Sequence, residues 1–442
     1  MIEPFQTFSG RKYKEIKSLF YDYNNHLNDD KKWLFERFDY GKYDDFPEEF
    51  LRFVTENYEN YDTFKNHLFK HTNESLAVSF SEMASDFRHA AYACATFMLE
   101  GPYIERLDKL IFPLAYLYRH SLELLIKGTI LKTNNINLSS VTTHDLKELL
   151  NKVNWPDNLE SFNPHIEWLK SFLDNFSTFD KMSDSFRYPF KINSESNIKK
   201  MKFVFEEQRN ICIVSLVKKF EYSFEIVSQI YNGDFTDITV EDSKELSTDF
   251  LDAGTEYYAM SVVGRKYNQS DLYLYADSYN DLAEHLFKQT ILDKKDIANE
   301  RYFKPICYLL QNAIEVQFKA ICMRVFDHQS ALKLQYQNKH DIKRIWNKIY
   351  EQIKTYGWVD SYKTKLDLTF NYLSPSEVTV PVDTHSFRYP VNKNGQKTFK
   401  DTKFHIGYVY FFLRDCFQVV SGLYYDCDEQ LQMEYELREF TT

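Results

Sequence analysis

The chain has 442 residues, a net charge of −11, 17% aromatic residues, and only 11 glycines and 11 prolines. That length suits two or three domains with ample core, and few turn formers beside long periodic apolar runs favour helices over a strand-rich fold. The acidic balance disfavours non-specific binding along a polyanion, which needs a basic field, and leaves room for a local basic patch.

Residues 1–78 are acidic, aromatic and polar, with helical spacing at Tyr13–Asn24 and Lys31–Phe38 and a helix start at Phe46-Pro47-Glu48-Glu49. They read as a helical N-terminal extension packing on the first of two repeats. That repeat spans 79–233. Its expected helices are Ser79–Glu100, Pro113–Ile130, one starting at His144 behind Thr142-Thr143, and Asn163–Phe176. A loop over Ser177–Lys191 follows, then a long last helix from Ser194 to Tyr231, stopped by Asn232-Gly233. Residues 234–267 form a connector with a short strand at Phe235–Val240. The second repeat, 268–442, carries helices at Leu272–Thr290, Phe303–Val325, Asp341–Tyr356 and Lys400–Tyr425, and a loop over Ser374–Phe399.

The repeat is visible in three ordered matches. Pro113–Ile130 (PLAYLYRHSLELLIKGTI) answers Pro305–Cys322 (PICYLLQNAIEVQFKAIC), with Pro, Tyr, Leu, Glu and Lys coinciding. His144–Val153 answers His340–Ile349, and SFRYP occurs at Ser185–Pro189 and again at Ser386–Pro390. The 113–130 stretch is apolar on most sides, the pattern of a core helix, with Pro113 read as a first-turn proline. Arg119, His120, Glu123 and Lys127 form one polar stripe on it. In the second copy Glu315 and Lys319 are kept, while Gln311 and Asn312 replace Arg119 and His120.

Each polar motif has a plain and a functional reading. The stripe is either an ion-pair ladder from Glu123 to Lys127 with Arg119 added, or the wall of a polar cleft. SFRYP lies where helical periodicity fails, and Pro189 and Pro390 disfavour helix for the residue before them. Arg187-Tyr188 and Arg388-Tyr389 then either pin each loop to the glutamate of its own repeat, Arg187 to Glu123 and Arg388 to Glu315, or face a phosphate. His144 and His340 stand at helix starts, beside acids that suit the positive end of the helix dipole. His120 is the acid–base candidate, since imidazole titrates near neutral pH. Six scattered cysteines form no CxxC pair, and no set of metal ligands has suitable spacing. No Walker, GxSxG, kinase or HExxH motif occurs, and no cofactor is indicated. The first residues lack a signal-peptide core and no apolar run reaches the ~18 residues of a membrane helix, so a cytoplasmic protein with no membrane partner is expected.

The order of an aromatic first helix, a YxRHSLELLIK-type helix, HDL, a loop with FRYP and a long last helix resembles the HEPN superfamily, small helical bundles of prokaryotic toxins, anti-phage systems and CRISPR-associated effectors. RNA-cutting members carry Arg, a polar residue, three others and His near the start of the last helix. Two such copies commonly face each other to form one site. Arg209-Asn210 and Arg414-Asp415 match the first two positions, but Val214 and Val419 stand where the histidine belongs. The resemblance therefore implies a binding or dimerising relative, or catalysis displaced to Arg119 and His120, an RNase in which Arg119, His120, Arg187 and Arg209 would supply acid–base and phosphate contacts. The expected fold is all-α: two HEPN-like bundles facing each other as an internal pseudo-dimer, whose duplicated surfaces suit a self-complementary contact. Three functions stay open. One is a binding and scaffolding protein of a bacterial defence or toxin-type system, holding RNA or a nucleotide between the repeats. The others are a metal-independent RNase and a helical adaptor for protein partners, with a homo-oligomer compatible with each. Candidate binding residues are Glu123, Lys127, His144, Arg187, Tyr188, Glu315, Lys319, His340, Arg388, Tyr389 and Arg414.

Overall fold

A computed structural model describes residues 75–100, 105–134, 141–155, 160–195, 198–235, 246–251, 259–264, 272–292, 301–372, 387–391 and 406–441. The N-terminal extension up to residue 74, nearly all of the expected connector strand, and most of the second loop lie outside the described residues.

The first half opens with α1 (Leu76–Leu99), capped by the Ser75 side chain, which accepts from the Val78 amide. Alanines on α1 let α2 (Glu105–Asn134) pack closely against it. At Gly128 of α2 an added Cβ would lie 3.0 Å from the Ala77 carbonyl oxygen. α2 starts eight residues before the expected point, with Glu105 and Asp108 in its first turn, so Pro113 is a buried interior proline and not a first-turn one. From Leu110 to Ile130 every residue of α2 is buried, its polar stripe included, which is why its sequence is apolar on most sides. The third helix, α3 (Leu146–Leu150), is short. Its cap is Asp145, which accepts from the Lys147 and Glu148 amides, in place of the expected threonines. α4 (Asn163–Ser177) follows.

The expected last helix of the first repeat is shorter than its sequence suggested. Residues up to Phe203 form an antiparallel hairpin of β1 (Phe190–Glu195) and β2 (Ile198–Phe203), with Phe190 opposite Phe203. Exposed and half-buried residues alternate along β2, a period of two that a helix cannot satisfy. β3 (Arg209–Cys212) pairs antiparallel with β4 (Met260–Val263), and only then does α5 (Ile213–Asn232) begin. α5 ends at Gly233, whose φ of +73° is the left-handed cap conformation.

The second half contains α6 (Leu272–Leu292), α7 (Phe303–Val325), α8 (His328–Asn338), α9 (Ile342–Ile353), α10 (Val359–Tyr372) and α11 (Ile406–Thr441). α7 is buried along almost its whole length, like α2. α8 and α10 have no counterpart among the expected helices. Among the described residues the chain is thus mostly helical, with two small antiparallel sheets. One continuous apolar core runs from α1 to α11. Among the described residues no helix is long and apolar enough to cross a membrane.

Candidate functional site

Two glutamates organise the polar interior. Glu123 sits midway along α2 and Glu315 midway along α7, both with no exposed surface. One oxygen of Glu123 accepts from Lys127 Nζ at 2.8 Å, His144 Nδ1 at 2.9 Å and the Tyr389 hydroxyl at 2.9 Å. One oxygen of Glu315 accepts from Lys319 Nζ at 2.7 Å, His340 Nδ1 at 2.9 Å and the Tyr188 hydroxyl at 2.6 Å. The lysine follows from i, i+4 spacing on one helix. The histidine arrives from the start of the next matched helix. The ammonium groups also lie over the tyrosine rings, Lys319 at 3.5 Å from Tyr188 and Lys127 at 5.0 Å from Tyr389.

The tyrosine comes from the opposite half of the chain, and this corrects the expected pairing. Arg187 does not meet Glu123, nor Arg388 Glu315. The first FRYP loop crosses to α7, where Tyr188 bonds Glu315 and Arg187 stands 3.9 Å from its carboxylate. The second loop crosses to α2, where Tyr389 bonds Glu123. Backbone contacts cross with them. His120 Nε2 donates to the Arg388 carbonyl at 2.8 Å, and Asn312 Nδ2 reaches the Arg187 carbonyl at 3.5 Å. The replacement of His120 by Asn312 therefore keeps a donor facing the same carbonyl of the facing loop. Each cluster is complete only with residues from both halves.

The two clusters differ at their deep ends. The second oxygen of Glu123 accepts from Arg119, which also donates to the His144 carbonyl and stands 3.2 Å from Asp180 as an ion pair. Asp180 in turn accepts from the Asp184 and Ser185 amides, fixing the start of the first FRYP turn. Gln311 takes the place of Arg119 beside Glu315, whose second oxygen has no hydrogen-bond donor among the described residues.

Burial pushes the Glu123 carboxyl up, but Lys127, then Arg119 and His144, more than reverse that and hold it well below the usual carboxylate range. Glu315 is held low in the same way, against burial, by Lys319, His340 and Arg187. Burial drives His120 well below its ordinary value, with Arg388 adding to the effect. His120 is thus a neutral Nε2–H tautomer with no exposed surface, which is the placement of a structural donor and not of an acid–base group that meets a substrate. His144 and His340 are the open members, with side chains 34% and 51% exposed. With Nδ1 held by a carboxylate, each directs Nε2 away from the cluster. Five cationic side chains (Arg119, Lys127, Arg187, Arg388 and the partly exposed Lys319) face three buried carboxylates (Glu123, Asp180, Glu315) and the half-exposed Asp184, 3.9 Å from Arg187.

Other candidate residues fall elsewhere. Arg209 lies on β3, exposed and paired with Glu207 at 2.7 Å, so it stands before the last helix of the first half and is not brought to Arg119 or His120. Arg414 lies on α11, where its guanidinium faces the Gln418 side chain. Sequence reasoning did not single out Asp180, Tyr116 or Tyr308. The tyrosines had a signal, since they coincide between the two long-helix windows. Asp180 had none beyond its place just before the first SFRYP. Comparison of the chain with protein-family models, with curated proteins and with solved structures finds no match.

Proposed function

We propose that the chain is a HEPN-like binding and scaffolding protein of a bacterial defence or toxin-type system. In this reading it is an internal pseudo-dimer that holds RNA or a nucleotide where its two clusters open to solvent at His144 and His340. The observation that carries the reading is the charge of the junction. Cations outnumber carboxylates there, inside a chain whose total charge is −11. A local surplus of this kind attracts phosphate, while the acidic remainder disfavours long non-specific tracking along a polyanion. The crossed loops support scaffolding as well, since neither cluster can form from one half alone.

One observation favours a second reading, metal-independent RNA cleavage. The carboxylate–histidine pairs leave Nε2 of His144 and His340 directed outward, the orientation a general base requires. In that case these two histidines, and not His120, carry the proton.

The test is fluorescence anisotropy with a labelled single-stranded oligoribonucleotide and a labelled mononucleotide, beside mass spectrometry of whatever copurifies. Expected is binding that a His144→Ala/His340→Ala double variant weakens at least tenfold while its melt stays near the parent's. Absence of binding by either probe, with nothing copurifying, overturns the reading. Cleavage of the oligoribonucleotide that the double variant abolishes moves the conclusion to the second.

A further inference from the structure

Beneath the two clusters, α2 and α7 meet at Tyr116 and Tyr308. Both tyrosines are fully buried, and their rings stack with centroids 4.6 Å apart at 18°. Neither hydroxyl has a hydrogen-bond partner among the described residues. Arg388 lies over both rings, its guanidinium carbon 5.8 Å from the Tyr116 centroid and 5.9 Å from the Tyr308 centroid. Arg388 is 7% exposed. One of its terminal nitrogens donates to the Tyr389 hydroxyl at 3.3 Å, its Nε has no acceptor, and no carboxylate pairs with it among the described residues. Arg187 is close enough to repel it.

A buried guanidinium without a counter-charge is costly, and two unmet phenol donors beside it add to that cost. The neutral acceptors nearby, His120 Nδ1 and Asn312 Oδ1, supply no negative charge. The groups left wanting are chiefly donors: Arg388 Nε–H and the two hydroxyls. Their complement is a group that only accepts and carries negative charge.

We infer that this junction is an oxyanion site, in which a phosphate-sized group is held by Arg388 and by the hydroxyls of Tyr116 and Tyr308. It is interior and linked to the solvent-facing His144 through the Tyr389 hydroxyl, and phosphate binding there is read without reference to RNA or nucleotide binding at the histidines. The anion is a free phosphate or the terminal phosphate of a larger ligand, and the chemistry of recognition is the same for both. A guanidinium offers planar, charge-assisted donors to such an anion, and phenols add directed ones without adding charge.

Two measurements test the site. The first is the melting temperature of the full chain in rising phosphate, against chloride at matched ionic strength, for the parent and for a Tyr116→Phe/Tyr308→Phe variant that keeps the stacked rings. The second is ³¹P NMR of the supernatant after the purified protein is denatured. Expected is either a saturable rise in melting temperature specific to phosphate or stoichiometric phosphate released on denaturation. In the double variant the half-saturating phosphate concentration rises at least tenfold, or the bound phosphate is lost. If that variant does not fold, Arg388→Lys, which keeps the charge and loses the planar fork, must show the same weakening. A nucleoside monophosphate that saturates below inorganic phosphate in the parent and loses that advantage in the tyrosine variant, with the bare nucleoside inert, assigns the anion to a larger ligand; a response to phosphate alone assigns it to the free ion. Neither a phosphate-specific rise nor released phosphate in the parent, or a response the variants keep in full, overturns the site. An ordinary buried water in that position gives this negative result.

Discussion

Replacing Glu123 by Gln removes one charge from the most connected carboxylate in the molecule and keeps its shape. Lys127 and Arg119 then remain buried with their shared counter-charge gone, while the Tyr389 and His144 bonds still have an amide oxygen to meet. Breaking a buried ion pair from one side costs roughly 3–5 kcal/mol, a large share of the ~5–15 kcal/mol that holds a typical domain folded. The melting temperature should fall by roughly 3–5 °C, since a chain of this length melting around one core loses about 0.9 kcal/mol per degree. Glu315→Gln should cost less, because its one close cation, Lys319, is partly exposed and Arg187 stands off at 3.9 Å. The assay is calorimetry or circular-dichroism melting of the parent and both variants, at several pH values. Both glutamates have folded pKa values depressed below the unfolded one. Their stabilisation is therefore present above the unfolded carboxylate pKa of about 4.3 and is lost as pH falls through the folded value. The gap between parent and Glu123→Gln should close only in strong acid. A Glu123→Gln protein that melts with the parent at neutral pH, or a Glu315→Gln protein that is the weaker of the two, refutes this account of the interior.

The crossed loops make a coupling prediction: Tyr389→Phe should cost about 1–2 kcal/mol. It should be non-additive with Glu123→Gln and additive with Glu315→Gln in double-mutant cycles, whereas pairing within one half predicts the reverse. His285, stacked on Phe97, is lowered to about 3 chiefly by burial. Its unfolded form binds a proton below pH ~6.5 that the folded form refuses, so stability should decline from there towards pH 3, by up to ~1.4 kcal/mol per pH unit. Denaturant titrations of a His285→Gln variant should show a flatter decline. Gly264→Ala should prevent the β3–β4 pairing, because φ is +81° and an added Cβ would fall 1.9 Å from the Glu207 carbonyl oxygen. Loss of amide protection at Ser261 and Val263, read by hydrogen exchange, checks this, since the Val262 amide faces the Asp108 side chain instead.

The sequence by itself determined the helical class and the two buried organising helices. Continuous apolar periodicity through 113–130 and 305–322 leaves a chain no other way to hide those side chains. It also marked the glutamate, lysine, histidine and FRYP positions, because their order recurs. The sequence suggests loop to Lys191 and helix from Ser194 where the hairpin lies, because a short alternating run of isoleucine, lysine and methionine carries little periodicity, and its partner strand decides the matter. Only the tertiary structure decided which loop meets which glutamate. Arg187 and Arg388, or Tyr188 and Tyr389, are chemically the same in both positions, and no local spacing distinguishes a loop that folds back from one that crosses. The burial of His120 was decided in the same way: the residues beside it on α2 permit an exposed imidazole, and it is the Arg388 carbonyl, 268 positions along the chain, that holds it inside.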